Sequence, residues 1–325
     1  MNPDLKRRLL LGAAPALLAT ALPVRAETST APLRLILPVS AGSAVDTIMR
    51  ATQGALSKAL GGQPVVIDNL PGAGGITGTS ALVKAAPDGL TLGVLSNNHV
   101  VHPSVYKKLP YDTYEDITPI AIGGSSPMVL VVHPKVPARN VKELAALLKA
   151  RPDGYNYGSA GNGTIVHLAG ELVVEEMGAS ARHIPYKGTG PQIADLLGGQ
   201  VEMGVSALVV VQPHLRSGAL RAIGVMSRER IAAAPDLPTL AEQGLPGAEA
   251  EGWFAIVGPA RLPAAEVRRL HAAFSAAFNA PEVKEAMLRQ GNQIRMSSPE
   301  EAGRFMRSEG ARFGRLVKKI GLQLD

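Results

Sequence analysis

The sequence predicts an α/β protein of two lobes joined by two crossing strands, and three observations carry the prediction. Short apolar runs suited to strands alternate with helix-period apolar stripes along most of the 325 residues, as in sheets covered by helices. The length exceeds the usual size of a single core. A strand, a ligand-permissive loop and a helix, first met at residues 34–60, return at 156–173 and again at 184–197.

In the first unit Leu33, Leu35 and Leu37 flank Arg34 and Ile36 in a strand that stops at Pro38. Ser40, Ala41, Gly42, Ser43 and Ala44 are all small, so a ligand can reach their backbone N–H groups without meeting side chains. Val45, Ile48, Met49, Thr52, Ala55, Leu56 and Ala59 then fall on one helical stripe, with Asp46 in the first turn. A first helical turn has unpaired N–H groups and the positive end of the dipole, which suits a carboxylate. Small residues at such a turn equally serve close helix–strand packing.

Residues 63–68 read as a second strand, followed by Gly72, Gly74 and Gly78 ahead of a helix from residue 79. The pattern is a loose dinucleotide fingerprint. Its spacing is G-x-G-x-x-x-G, and the strand at 91–95 runs into Ser96, Asn97 and Asn98 where a ribose-binding acid belongs. Another small-residue loop facing a cleft fits better. His99 and His102 lack a third metal ligand at a workable distance; their segment reads as a loop in which Asn97, Asn98 or His99 can bond a ligand. Pro110, Tyr111 and Asp112 form a turn leading out of the domain.

Residues 128–133 read as a strand, and Asn140 with Glu143 forms a capping box for a helix over 141–150. After a strand ending at Gly158, the small polar run from Ser159 through Asn162, Gly163 and Thr164 precedes a helix whose buried face is Ile165, Leu168, Ala169, Leu172 and Val173. This is a second anion cradle. The third unit has a strand at 184–186, a loop holding Lys187 and Thr189, Pro191 at the first helical position, and a helix over 193–197. Further strands are expected at 201–205 and 221–226, with a helix at 212–217 between them. A strand over 251–259 holds the only tryptophan and leads to helices at 264–279, 281–290 and 299–320. Crossings near Pro127 and Gly252 give a hinge, with lobe 1 at residues 27–127 plus 252–325 and lobe 2 at 128–251.

Residues 1–26 read as an export signal: Lys6, Arg7 and Arg8, an uncharged apolar run over 9–24, and a cleavage site at Val24-Arg25-Ala26. The paired arginines before three leucines fit the twin-arginine route as well as the general secretory one. Cleavage leaves 29 basic against 26 acidic residues from the 33 and 27 of the whole chain, a balance too even for nucleic acid. Cysteine is absent and aromatics make up only 4%, so disulfides, lipid attachment through a thiol and base-stacking platforms are excluded or scarce. No G-x-S-x-G or H-E-x-x-H occurs. Glu175-Glu176 and Glu300-Glu301 read as solvated faces, and His167 and His183 as structural histidines. No cofactor is expected.

RLILPVSAGSAVD, QPVVIDNLPGAGG, YGSAGNGTIVHLAGEL, HIPYKGTGPQIADLLGGQVE and PHLRSGALRAIGV, in this order and spacing, resemble the Bug receptors. These are the periplasmic solute-binding components of tripartite tricarboxylate transporters. The resemblance covers residues 33–325. It implies a type II Venus-flytrap fold and a soluble, monomeric periplasmic protein. It also implies a small carboxylate held between the first loop and the cradle at 159–164, and membrane permease subunits as partners. It carries Gly42 and Asp46 over to the first-loop motif and Asn162, Gly163, Thr164 and His167 to the second. Ser43 and Ala44 replace a glycine and a hydroxyl residue of the family's pattern, and Ser206-Ala207 stands where a more polar pair is common. These departures predict a ligand with a more apolar distal part. The rival readings are an exported nucleotide-dependent oxidoreductase using Gly72 to Gly78, and a periplasmic sensor subunit.

Overall fold

The computed structural model describes residues 31–319 and 321–322; the expected signal at 1–26 lies outside them. The first half opens with β1 (Leu33–Leu37), α1 (Ala44–Ala59), β2 (Val65–Asn69), a 3-10 turn at Ala73–Gly75, α2 (Ile76–Val83), β3 (Thr91–Ser96) and α3 (Asn98–Val105). The long strand β4 (Ile117–Val132) leads to α4 (Val141–Ala150), β5 (Asn156–Ser159), α5 (Ile165–Glu176), β6 (Arg182–Pro185), α6 (Thr189–Leu197), β7 (Met203–Ala207), α7 (Leu208–Arg216) and β8 (Arg221–Val225). The chain ends with β9 (Glu251–Pro259), α8 (Ala264–Asn279), α9 (Pro281–Arg289), β10 (Gln293–Ile294) and α10 (Pro299–Lys319).

The strands run in the order β2-β1-β3-β9-β4-β7-β5-β6, with β8 and β10 also paired to β4. Two parallel groups, β2-β1-β3 and β7-β5-β6, are joined through antiparallel β9 and β4. β4 changes partner in mid-strand. Residues up to Pro127 pair with β9, and Met128 onward pair with β7 on one side, with β8 joining from Val129 on the other. One strand therefore runs through both halves of this two-lobed α/β fold.

Each half has a buried cluster of its own, and a third cluster, with Leu95 and Val100 at one end and Leu168 and Val205 at the other, runs through both. In the first, Leu33, Leu35 and Leu37 pack with Ile48 and Met49 of α1 and with Phe274 and Phe278 of α8. Each such aliphatic side chain contributes about 1.5–3 kcal/mol on burial. In the second, Val129 and Val131 of β4 meet Ile193 and Leu196 of α6 and Val211 of α7. The C-terminal helix α10 lies on α3 and β4, where Glu309 Oε2 accepts from Trp253 Nε1 at 3.0 Å.

Several segments differ from the sequence reading. The segment with His99 and His102 is helix α3 and not a loop: Val100, Val101 and Val105 bury one face of it, and the Asn97 carbonyl accepts from Val100 and Val101 N–H. β4 starts at Ile117, through Pro119, Gly123, Gly124 and Pro127 that locally read as breakers, because β9 pairs along it with two register shifts. α2 starts at Ile76 and α6 at Thr189, so Pro191 is the third helical residue and not the first. β7 and α7 lie at Met203–Ala207 and Leu208–Arg216; the apolar run across their junction carries no boundary signal of its own. Among the described residues no helix is long and apolar enough to cross a membrane.

Candidate functional site

Six strands direct their carboxyl ends toward one cleft: the ends of β1, β2, β3, β5, β6 and β7, with the residues that follow them, all contribute to its wall. Open α/β sheets take ligands at such ends. The cleft measures about 710 Å³ and is shared between the two halves, with Ser40, Ser43, Gly72, Gly74 and Asn97 on one side and Asn162, Thr164, Lys187, Thr189 and Ser206 on the other. Lys187 is the one charged side chain on its wall among the described residues.

The backbone supplies donors. Ser43 caps α1, its Oγ accepting from Asp46 N–H at 3.3 Å, and Thr164 caps α5 in the same way through His167 N–H at 3.3 Å. The N–H groups of Ala44 and Val45 at the start of α1, and of Asn162 and Val166 at the start of α5, take no partner among the described residues. All four residues border the cleft. Positive helix ends on both walls, with Lys187 nearby, favour an anion.

Ala41, Gly42, Asp46, His99, Ser159, Gly163 and His167 do not border the cleft; those whose bonds are resolved hold it in shape from behind. Asp46 is 2% exposed. Its carboxylate accepts from Gly42 N–H at 2.9 Å, Arg50 Nε at 3.0 Å and Asn69 Nδ2 at 3.0 Å. Burial pushes its pKa up, but Arg50, Gly42 and Asn69 outweigh burial and hold it below the ordinary value. With its lone pairs occupied, Asp46 anchors the first loop instead of meeting a ligand. Behind the second loop, His167 Nδ1 accepts from Gly163 N–H at 3.1 Å, which puts the ring proton on Nε2, 3.5 Å from Glu171 Oε1. The His183 ring stacks on His167 at 3.8 Å, and its Nε2 lies 2.6 Å from Ser159 Oγ. Tyr157 donates to the same Glu171 carboxylate.

The glycine loop is braced similarly. His102 Nε2 donates to the Gly74 carbonyl at 3.3 Å and Nδ1 accepts from Tyr111 Oη at 3.1 Å; His99 Nε2 donates to the Thr113 carbonyl at 2.7 Å. Burial pulls the pKa of His99 to about 4 and that of His102 to about 3. A Cβ on Gly78 would lie 2.7 Å from the Leu70 carbonyl oxygen and 2.8 Å from Pro38 Cα, so this glycine is required by packing alone. No group of three or more His, Asp or Glu able to hold a metal occurs among the described residues.

The sequence reading did not single out Tyr106, Ser126, Met128, Val210, Trp253 and Phe254 of the wall. Ser126 and Met128 belong to β4 and Trp253 and Phe254 to β9; the pairing of those strands is what delivers them. Tyr106, the cap after α3, donates from its hydroxyl to the Asn162 carbonyl at 3.2 Å.

A family described as "Tripartite tricarboxylate transporter family receptor" matches residues 48–322. Protein BugT of Bordetella pertussis is 36% identical over 307 residues, covering 94% of each chain. The structure of the periplasmic binding protein BugD superposes with a TM-score of 0.86 at 31% identity, over 90% of this chain and 99% of that one. R. palustris Rpa4515, solved with adipate, superposes with a TM-score of 0.87 at 29% identity, over 90% and 98% of the two chains.

Proposed function

Because the chain belongs to the tripartite tricarboxylate transporter family of receptors, we propose that it captures a small carboxylate in the cleft between its lobes and delivers it to the permease subunits of such a transporter. The observation that carries the reading is the pair of helix starts, α1 and α5, whose unpartnered N–H groups border one cleft from opposite halves. Adipate in a structural relative supports the ligand class. The export signal read at residues 1–26 supports a periplasmic location.

In this reading lobe 1 is residues 27–127 plus 252–325 and lobe 2 is 128–251. The carboxylate is gripped by N–H groups of both lobes, with Lys187 adding charge. Ser40, Ser43, Thr164 and Thr189 border it, and Asp46, His167 and Ser159 hold the loops. The protein acts as a monomer, and no bond is made or broken.

Thermal unfolding against mono- and dicarboxylates, with NAD and NADP included, tests this. A ligand at about 1,000 times its Kd adds roughly 4 kcal/mol to stability, which raises Tm by several degrees. A rise with carboxylates alone is expected. A rise only with a dinucleotide would overturn the receptor reading.

A further inference from the structure

One peptide unit of the second loop is held from both sides. The Asn162 carbonyl accepts from Tyr106 Oη at 3.2 Å, a bond from the other half of the molecule, and the Gly163 N–H donates to His167 Nδ1 at 3.1 Å. A planar trans peptide points its C=O and N–H in opposite directions, so the ring behind the loop fixes the carbonyl in front of it. Gly163 has a φ of +70°, and a glycine there lets the peptide plane turn over at little steric cost. His167 is 2% exposed, and its Nδ1 accepts only while it carries no proton.

We propose that His167 is the positioning residue that keeps the lobes together, and that a proton on its Nδ1 frees the Asn162 carbonyl from Tyr106, opens the cleft and releases the carboxylate. The release rests on the receptor reading above; the opening does not. A protonated Nδ1 would set two N–H donors against each other across 3.1 Å. The peptide then has to turn or withdraw, and either movement takes the carbonyl off the Tyr106 hydroxyl. The ionisable groups around the ring favour a proton on His167. Glu171 of the same helix lies 3.5 Å from Nε2. The bond from His167, with a second from Tyr157 of β5, holds the Glu171 carboxyl below its ordinary pKa against the effect of burial. Glu171 therefore stays ionised and balances the imidazolium. His183 of β6 stacks on His167 at 3.8 Å; burial, and then His167 itself, pull its pKa to about 4, so it stays neutral while His167 charges. β7, which also packs on α5, brings no ionisable side chain. Glu175 and Glu176 lie at the far end of α5, paired with Lys319 of α10. Imidazole is the side chain that changes charge between pH 5 and 8.

The chain contains no cysteine, so two introduced thiols can carry spin labels without interference. Val66→Cys on β2 and Arg182→Cys on β6 are exposed positions at the two ends of the sheet order. Their separation is read by pulsed electron resonance in the free protein at pH 7.5 and 5.5. One short separation is expected to dominate at pH 7.5, and a longer one should hold most of the population at pH 5.5. In Tyr106→Phe, which lacks the hydroxyl, the longer separation should already be populated at pH 7.5 and the response to acid should shrink. In His167→Asn, Oδ1 replaces Nδ1 as an acceptor that acid does not protonate, so the short separation should persist at pH 5.5. A wild-type distribution that does not shift between the two pH values overturns the inference, as does a shift of undiminished size in Tyr106→Phe or in His167→Asn. If His167→Asn does not fold, the wild type and Tyr106→Phe decide the matter. No ligand enters this measurement, so an acid-induced opening in a protein that no carboxylate stabilises would remove the receptor reading and leave the opening in place.

Discussion

Asn98 reaches across the cleft to Ile165: its Oδ1 accepts the Ile165 N–H at 2.8 Å while its Nδ2 donates to the Gly74 carbonyl at 3.2 Å. Ile165 is the first residue of α5, so its N–H has no partner within the helix, and the partner comes from α3 in the other half. Two more bonds make the same crossing. Tyr106 donates to the Asn162 carbonyl at 3.2 Å, and Thr189 N–H donates to Ser40 Oγ at 3.1 Å. The described conformation is therefore one in which the lobes are clasped around the cleft.

A bond made only when the lobes are together adds to the closed population, and affinity scales with that population. Removing one typical hydrogen bond costs about 1 kcal/mol, or roughly fivefold in affinity. Asn98→Ala is expected to weaken binding of a carboxylate ligand about five- to tenfold in calorimetric titration, with Tm of the free protein changed by no more than a degree or two. Unaltered affinity would show that the clasp does not bias closure.

Gly188 lies against Ser40 at the other edge of the cleft. Its φ is +117°, and a Cβ there would lie 2.7 Å from Ser40 Oγ and 2.8 Å from Ser40 Cβ. Ser40→Ala removes one bond and is expected to cost about 1 kcal/mol or less of binding. Gly188→Ala both strains the backbone and wedges the lobes apart, so its affinity loss should exceed tenfold. If the two variants bind equally well, the contact is not part of the closed state.

The repeated strand–loop–helix units were legible in the sequence because each combines an apolar run, a small-residue loop and a 3.6-period stripe. β9 at Glu251–Pro259 and α8 at Ala264–Asn279 fall where the pattern places them. The first part of β4 was hidden because Pro119, Gly123 and Pro127 oppose a strand locally, and only the partner β9 overrides them. At the site, Ser40 and Thr164 were legible as loop residues before helices. The inward turn of Asp46 was not, since its partner Asn69 lies 23 residues on. Contacts such as Asn98 with Ile165 join residues 67 apart, beyond any local pattern.

Asp46 sets the shape of the first loop through three donors. Asp46→Ala would leave Gly42 N–H without its acceptor, Asn69 Nδ2 with the Val39 carbonyl alone and Arg50 without its charge partner. The expected cost is about 2–3 kcal/mol of stability, seen as a Tm lower by several degrees, together with weaker ligand binding through the displaced Ser40 and Ser43. Asp46→Asn keeps an acceptor while losing the ion pair, so it should fall between the wild type and Asp46→Ala in both measurements. Equal damage from the two variants would assign the whole effect to charge.

Stability should fall with acidification well before the carboxylates titrate. Burial depresses His99 to about 4 and His102 to about 3, and burial, with His167 beside it, depresses His183 to about 4. An unfolded chain protonates these rings near 6.5. Between about pH 6.5 and 4 the unfolded state therefore takes up protons that the folded state refuses, and the stability present above pH 6.5 is lost as pH falls through this window. For the two fully buried rings, His99 and His102, the loss by pH 5 is roughly 2–4 kcal/mol in total. Urea unfolding at pH 7.5, 6 and 5 measures it. His99→Gln, which keeps a neutral donor for the Thr113 carbonyl, should reduce that slope by about a third to a half, since His102 and His183 still titrate in the window. A slope unchanged in His99→Gln would mean that His99 is already protonated in the folded protein at pH 5.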